Sequence, residues 1–173
     1  GLFLRPQHLQ TAERNHREEL RISENWGCGY PYGLQSIEID EDALANWRIV
    51  LRTCHIRLHD GTHLRYPEDA NLAPLDLPKD AFDRQNLVMV HLAVPPLRLG
   101  RSNADVQAGD ADVRFQVDSM EVEDENQPGN PQPVEVRWAN ARLIVNEDEL
   151  AGYESLPIMR LRRGTMAEAP PEI

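Results

Sequence analysis

The sequence predicts an all-β domain, a β-sandwich preceded by a short N-terminal helix. Three observations carry this expectation. From Ile37 to Leu161 the apolar residues recur at every second position in a series of short runs, the period of a half-buried strand. Turn and breaker residues separate the runs, supplied by 13 prolines and 10 glycines. One stretch alone, Gln7 to Ile22, has helical spacing. About seven to nine short strands around one core close most naturally as two packed sheets.

The helix is expected from Leu9, Ala12, His16 and Leu20, with Glu13–Arg17 and Arg14–Glu18 as opposite charges four residues apart. Its apolar stripe is thin, so it needs support from the main body or from another chain. Asn25 to Gly33 reads as an irregular connector. Its rings, Trp26, Tyr30 and Tyr32, either pin the helix to the sandwich or belong to a contact surface. Ile37 and Ile39 open the alternation. Trp47, Ile49 and Leu51 share one face, and Ile56 and Leu58 share another. That change of parity predicts a bulge or a bend around Thr53-Cys54. His59-Asp60-Gly61-Thr62 is a hairpin turn, with Leu64 and Tyr66 on the returning strand.

Pro67 to Arg84 reads as a long loop. Leu87 to Val94 is nearly all apolar, as in a central strand covered on both faces, and Pro95-Pro96 stops it. Val113, Phe115 and Val117 alternate, and Met120 and Val122 follow out of phase. An acidic loop spans Glu123 to Pro133. Val134, Val136 and Trp138 form one strand, Leu143 to Val145 another, and Ile158 with Leu161 a last one. Trp47 and Trp138 are expected in the core.

Composition narrows the function. A net charge of −11 opposes binding to nucleic acid or to an anionic membrane surface. No apolar run approaches the length of a membrane span. The two cysteines, Cys28 and Cys54, lack metal or redox spacing and are expected as reduced thiols. His55, His59 and His63 are spaced by four, but on strand, turn and strand they do not share a face, so no metal site is expected. The acidic cluster Asp118, Glu121, Glu123, Asp124 and Glu125 lacks the calcium-loop pattern, as does the pair Asp110 and Asp112. Five serines include none in a nucleophile elbow, and no phosphate-binding loop appears. No catalytic residue and no cofactor are expected.

The informative segment is the first ten residues, Gly1-Leu2-Phe3-Leu4-Arg5-Pro6-Gln7-His8-Leu9-Gln10. It opens apolar and is stiffened by Pro6, which also biases Arg5 toward an extended conformation. Such a leader either adds an edge strand or plug to its own domain, or docks on another chain. In the second case Leu2, Phe3, Leu4, Arg5, Pro6, Gln7, His8 and Leu9 bind the partner: apolar anchors, a guanidinium for carboxylates or carbonyls, and two hydrogen-bonding side chains.

This decapeptide resembles the N-terminal signature of the TssK family of the bacterial type VI secretion baseplate. The match holds at Gly1, Phe3 to His8 and Gln10. Leu9 stands where the family usually has Phe, and a preceding Trp-x-Glu is absent. Tyr32-Gly33-Leu34 with Ile37-Glu38-Ile39-Asp40 resembles a second family segment. Asp60-Gly61-Thr62 with Pro67 resembles a third, with His59 in place of Pro, and Pro170-Pro171 resembles the approach to the family's helical neck. The resemblance implies a sandwich like the shoulder of phage receptor-binding proteins, in a structural, non-enzymatic subunit. It implies a homotrimer in the full-length protein, at the baseplate in the cytoplasm. The N-terminal domain would bind the TssF/TssG wedge (with TssE), and a C-terminal head would face the membrane complex. The expected division is 1–34 for the docking segment, helix and connector, 35–169 for the sandwich, and 170–173 for the start of a linker to a neck and head lying beyond this chain. The competing expectation is a carbohydrate- or receptor-binding β-sandwich without catalysis.

Overall fold

The computed structural model describes residues 3–83, 85–105, 112–124, 129–164 and 169–173. Helix α1 (Pro6–Gly27) comes first and runs past Ile22 through Trp26. Strand β1 (Gly33–Ile39) follows, then a short helix α2 (Glu41–Ala45) that alternation did not suggest. Asp40 caps α2 by accepting the Ala43 N–H at 3.1 Å. That bond, with Arg52 nearby, holds the Asp40 carboxyl below its usual range. Leu44 is the buried residue of this helix.

Strands β2 (Arg48–Ile49), β3 (Leu51–Arg57) and β4 (His63–Tyr66) come next. In the β1–β3 ladder Glu38 faces Thr53 while Ile39 faces Leu51. Arg52 is therefore the extra residue of a bulge, immediately before the expected place. The bulge lets Leu51 and Cys54 both turn inward although three positions separate them. The hairpin turn is as expected: the Gly61 N–H bonds to the Leu58 carbonyl at 3.0 Å, with φ +82° at Gly61.

Pro67 to Arg84 departs from the expected loop. It holds β5 (Ala70–Leu72), β6 (Leu75–Asp76) and a 3-10 turn (Lys79–Phe82). β6 pairs with β2, which carries Leu77 and Phe82 into the core at 4% and 2% exposure. Trp47 is only half-buried. It has φ +60° just after α2, a conformation costly for a bulky residue, and its ring meets Phe82 edge-on at 6.1 Å. Its expected core position on a strand is thus replaced by a turn position that covers Phe82.

The second layer contains β7 (Leu87–Val94), β8 (Ala104–Asp105), β9 (Phe115–Val122), β10 (Gln132–Ile144) and β11 (Glu154–Arg162). Its order is β11-β7-β10-β9-β8, with β5 added in parallel to β10. β7 is central, as its continuous apolar run predicts. β10 joins two segments read from sequence as separate strands. Its first half pairs with β9 and its last residues pair with β7. Trp138 lies in the first half and is half-buried, outside the core.

The sheet β1-β3-β4 forms the facing layer. One core lies between the layers, built from Leu51, Cys54, Ile56 and Leu64 on one side and Val88, Val90, Leu92, Leu143 and Leu161 on the other. Residues 170–173, expected to begin a linker, return to β11, where Arg162 and Glu172 exchange backbone hydrogen bonds of 2.7 and 2.9 Å. The architecture is the β-sandwich the alternation predicts, with a longer helix in front.

Candidate functional site

The leader and α1 stand outside this core. Arg5 is the N-cap of α1 in extended conformation, and Pro6 occupies the first helical position, where the missing N–H costs nothing. The Arg5 N–H donates to His8 Nδ1 at 3.2 Å, and the His8 N–H donates to the Arg5 carbonyl at 2.9 Å. Two helix-start donors are thereby satisfied locally. Leu4 and Leu9 occupy the two positions that close as a hydrophobic staple in many helices. Here they stay 71% and 64% exposed, and Phe3 is 87% exposed. Arg5, Pro6, Gln7 and His8 are exposed as well. Leu2 lies outside the described residues. Phe3 and Leu4 add neither an edge strand nor a plug to this domain.

Among the described residues none of α1 is buried. The helix meets the body through charges. Glu24 pairs with Arg57 on β3, and Glu13 pairs with Arg137 on β10 at 3.3 Å. Arg21 holds Glu18 with two hydrogen bonds of 2.9 and 2.6 Å, which keeps the Glu18 carboxyl below its usual range. The Arg21 stem lies against the β3–β4 turn. A Cβ at Gly61 would come within 3.2 Å of it, so this glycine is set both by its positive φ and by the helix.

The turn itself is anchored from below. Arg114 is 3% exposed. It donates to the Pro95 carbonyl at 2.8 Å, to Asp60 Oδ2 at 2.7 Å and to Thr62 Oγ1 at 2.5 Å. Sequence reading missed Arg114, because an arginine between Val113 and Phe115 carries no spacing signal.

The rings of the connector divide. Tyr32 packs on His59 with centroids 4.1 Å apart. Trp26 and Tyr30 are 90% and 77% exposed, so they do not pin the helix. The histidines face different carboxylates: His55 is 4.0 Å from Glu68, and His59 is 3.4 Å from Glu154. Among the described residues no group of three or more His, Cys, Asp or Glu side chains is placed to hold a metal ion. Asp110 and Glu125 lie outside the described residues. Among those residues no helix is long and apolar enough to cross a membrane.

Both cysteines are free thiols, Cys28 exposed and Cys54 buried. Burial pushes the Cys54 thiol up to about 11. A thiol reagent at neutral pH is expected to modify Cys28 quickly and Cys54 only on unfolding. Cys28→Ser is expected to abolish the fast phase of colour release, and persistence of that phase would contradict the burial of Cys54.

The fold matches that of known proteins. The family model described as Bacterial Type VI secretion, VC_A0110, EvfL, ImpJ, VasE matches residues 8–169. A curated relative, the type VI secretion system baseplate component TssK1 of Pseudomonas aeruginosa, is 27% identical over 172 residues. That match covers 94% of this chain and 36% of the relative, so the chain spans about a third of that protein's length. A crystal structure of TssK superposes with a TM-score of 0.81 at 26% identity, over 98% of this chain and 38% of the other. TssK-TssF-TssG baseplate subcomplex coordinates superpose with a TM-score of 0.88 at 23% identity, over 99% of this chain and 57% of the matched one. With the sandwich, the leading helix and nearly every residue inside the family match, the chain belongs to the VasE/ImpJ family of bacterial type VI secretion, the TssK family.

Proposed function

We propose that this chain is the N-terminal part of a TssK-type adaptor of the type VI secretion baseplate, and that Phe3 to Leu9, with Leu2, dock on wedge proteins of the TssF and TssG kind. The observation that carries this reading is the exposed leader: three large apolar side chains, pre-aligned by a capped and proline-started helix, with no cover from their own domain. Preorganisation of this sort lowers the ordering cost of association. The P. aeruginosa relative is itself a baseplate component, and the subcomplex coordinates pair a similar fold with TssF and TssG. The reading is of a structural subunit acting in the cytoplasm, as part of a homotrimer whose remaining regions reach the membrane complex. Its work is affinity and geometry, with no bond made or broken. Three copies in one assembly would multiply modest contacts through effective concentration.

The test is capture of purified TssF–TssG by the full protein. Phe3→Ala and Arg5→Ala are each expected to weaken capture by about 30-fold, the size of an interface hot spot. Melting should stay unchanged, because both side chains are exposed. Capture equal to the parent in both variants would remove these residues from the interface. A glycan-binding module is the second reading, favoured by the exposure of Trp26 and Tyr30. Saturable glycan binding lost in Trp26→Ala would select it.

A further inference from the structure

A second surface lies between α1 and the body. A cleft of about 830 Å³ opens there, bounded by the helix, the β3–β4 turn and the segment after β7. Eight arginines and five carboxylates line it, in a chain whose net charge is −11. The carboxylates are already matched. Glu13 pairs with Arg17 and Arg137, Glu18 with Arg21, Glu24 with Arg57, Asp60 with Arg114, and Asp69 with Arg65. Three arginines of the lining, Arg14, Arg98 and Arg101, are exposed and have no carboxylate partner among the described residues. Asp105 and Asp112 border Arg98 and Arg101 in an adjoining hollow, and both already hold interactions of their own.

Apolar surface is interleaved with these cations. Leu97 and Leu99 are 46% and 73% exposed in the lining, and Phe115 lies deeper with the Arg137 guanidinium 5.2 Å from its ring centre. Uncompensated guanidinium groups call for carboxylates, because their planar fork matches that acceptor. The leucines call for aliphatic side chains between those carboxylates. A nucleic acid is disfavoured, since its sugar–phosphate chain offers no aliphatic side chains to cover the exposed Leu97 and Leu99 between the cations.

We propose that this cleft binds an acidic, leucine-containing segment of a partner protein as a single extended chain. The occupant's carboxylates pair with Arg14, Arg98 and Arg101, and its aliphatic side chains lie on Leu97, Leu99 and Phe115. This surface is separate from the leader, so its test stands or falls independently of the leader assignment.

The experiment uses the full chain and a fluorescein-labelled peptide of about twelve residues that alternates Glu with Leu and Ser. Its controls are the same peptide with Gln for every Glu, and single-stranded oligothymidylate of equal length. Saturable anisotropy is expected for the Glu peptide, weakening by about tenfold as salt rises from about 50 to about 300 mM. The triple variant Arg14→Gln, Arg98→Gln, Arg101→Gln is expected to lose about tenfold in affinity with melting unchanged, and Arg14→Glu alone should lose part of it. Phe3→Ala should bind the peptide as the parent does. Equal binding of the Gln peptide, tighter binding of the oligonucleotide, or no binding at all would overturn the proposal. So would self-association of the chain abolished by the triple variant, which would assign the cleft to a second copy.

Discussion

Arg114→Met is expected to lower stability by about 3 kcal/mol, the cost of removing the buried member of a hydrogen-bonded ion pair. Methionine fills much of the same space but donates nothing. The Pro95 carbonyl, Asp60 Oδ2 and Thr62 Oγ1 lose their shared donor at once. Asp60→Asn should cost less, for two reasons. The Asp60 side chain is 32% exposed, and its Oδ1 also accepts the Thr62 N–H at 2.9 Å, a bond that an asparagine oxygen can keep. Urea unfolding followed by circular dichroism measures both. A midpoint for Arg114→Met equal to that of Asp60→Asn would refute the idea that Arg114 serves three acceptors. Because Arg114 anchors the turn against which Arg21 lies, the same variant should also loosen α1.

Phe82→Ala is expected to cost about 4 kcal/mol, within the range for truncating a buried aromatic side chain. Phe82 is 2% exposed and belongs to the core, so its removal leaves a cavity that the 3-10 turn alone cannot fill. It should also uncover Trp47, whose ring sits edge-on over Phe82 in a backbone conformation that lets it move little. In a background carrying Trp26→Phe and Trp138→Phe, Trp47 emission should shift to the red before global unfolding. Unshifted emission with a small loss of stability would mean that the segment repacks around the gap.

These two positions also mark where the sequence stops being legible. β7 and the β3–β4 hairpin could be read directly, because a nearly continuous apolar run and an Asp-Gly turn between alternating strands leave few other structures open. Phe82 and Leu77 could not be read, since each is a single buried residue in a Pro- and Asp-rich stretch without period. α2 is five residues long, too short for a helical repeat to show. β10 reads as two strands in the sequence because Ala139-Asn140-Ala141 interrupts the alternation. Asn140 is nevertheless buried there, donating to the Val113 carbonyl at 2.9 Å.

The candidate surfaces differ in the same way. The leader is contiguous, so its chemistry was plain from Leu2 to Leu9, but only the fold could tell whether Phe3 and Leu4 faced inward. The arginine-lined cleft brings Arg14 to Arg98 and Arg101, which lie far along the chain. No local pattern announces such a meeting.

Attachment of α1 by counter-ions rather than by oil has a mechanical consequence. Exposed or half-exposed ion pairs of this kind hold by roughly 1–2 kcal/mol and weaken as salt rises. Gly27 and Gly29 flank Cys28 at the root, with open space around both. A helix of 22 residues that pivoted there would carry its oily tip on a radius of about 33 Å. Such a boom can touch a neighbour before the bulky sandwich arrives, and then reel it in. The radius of capture would be fixed by the length of the rod, and the rate of release by the ionic strength around its root.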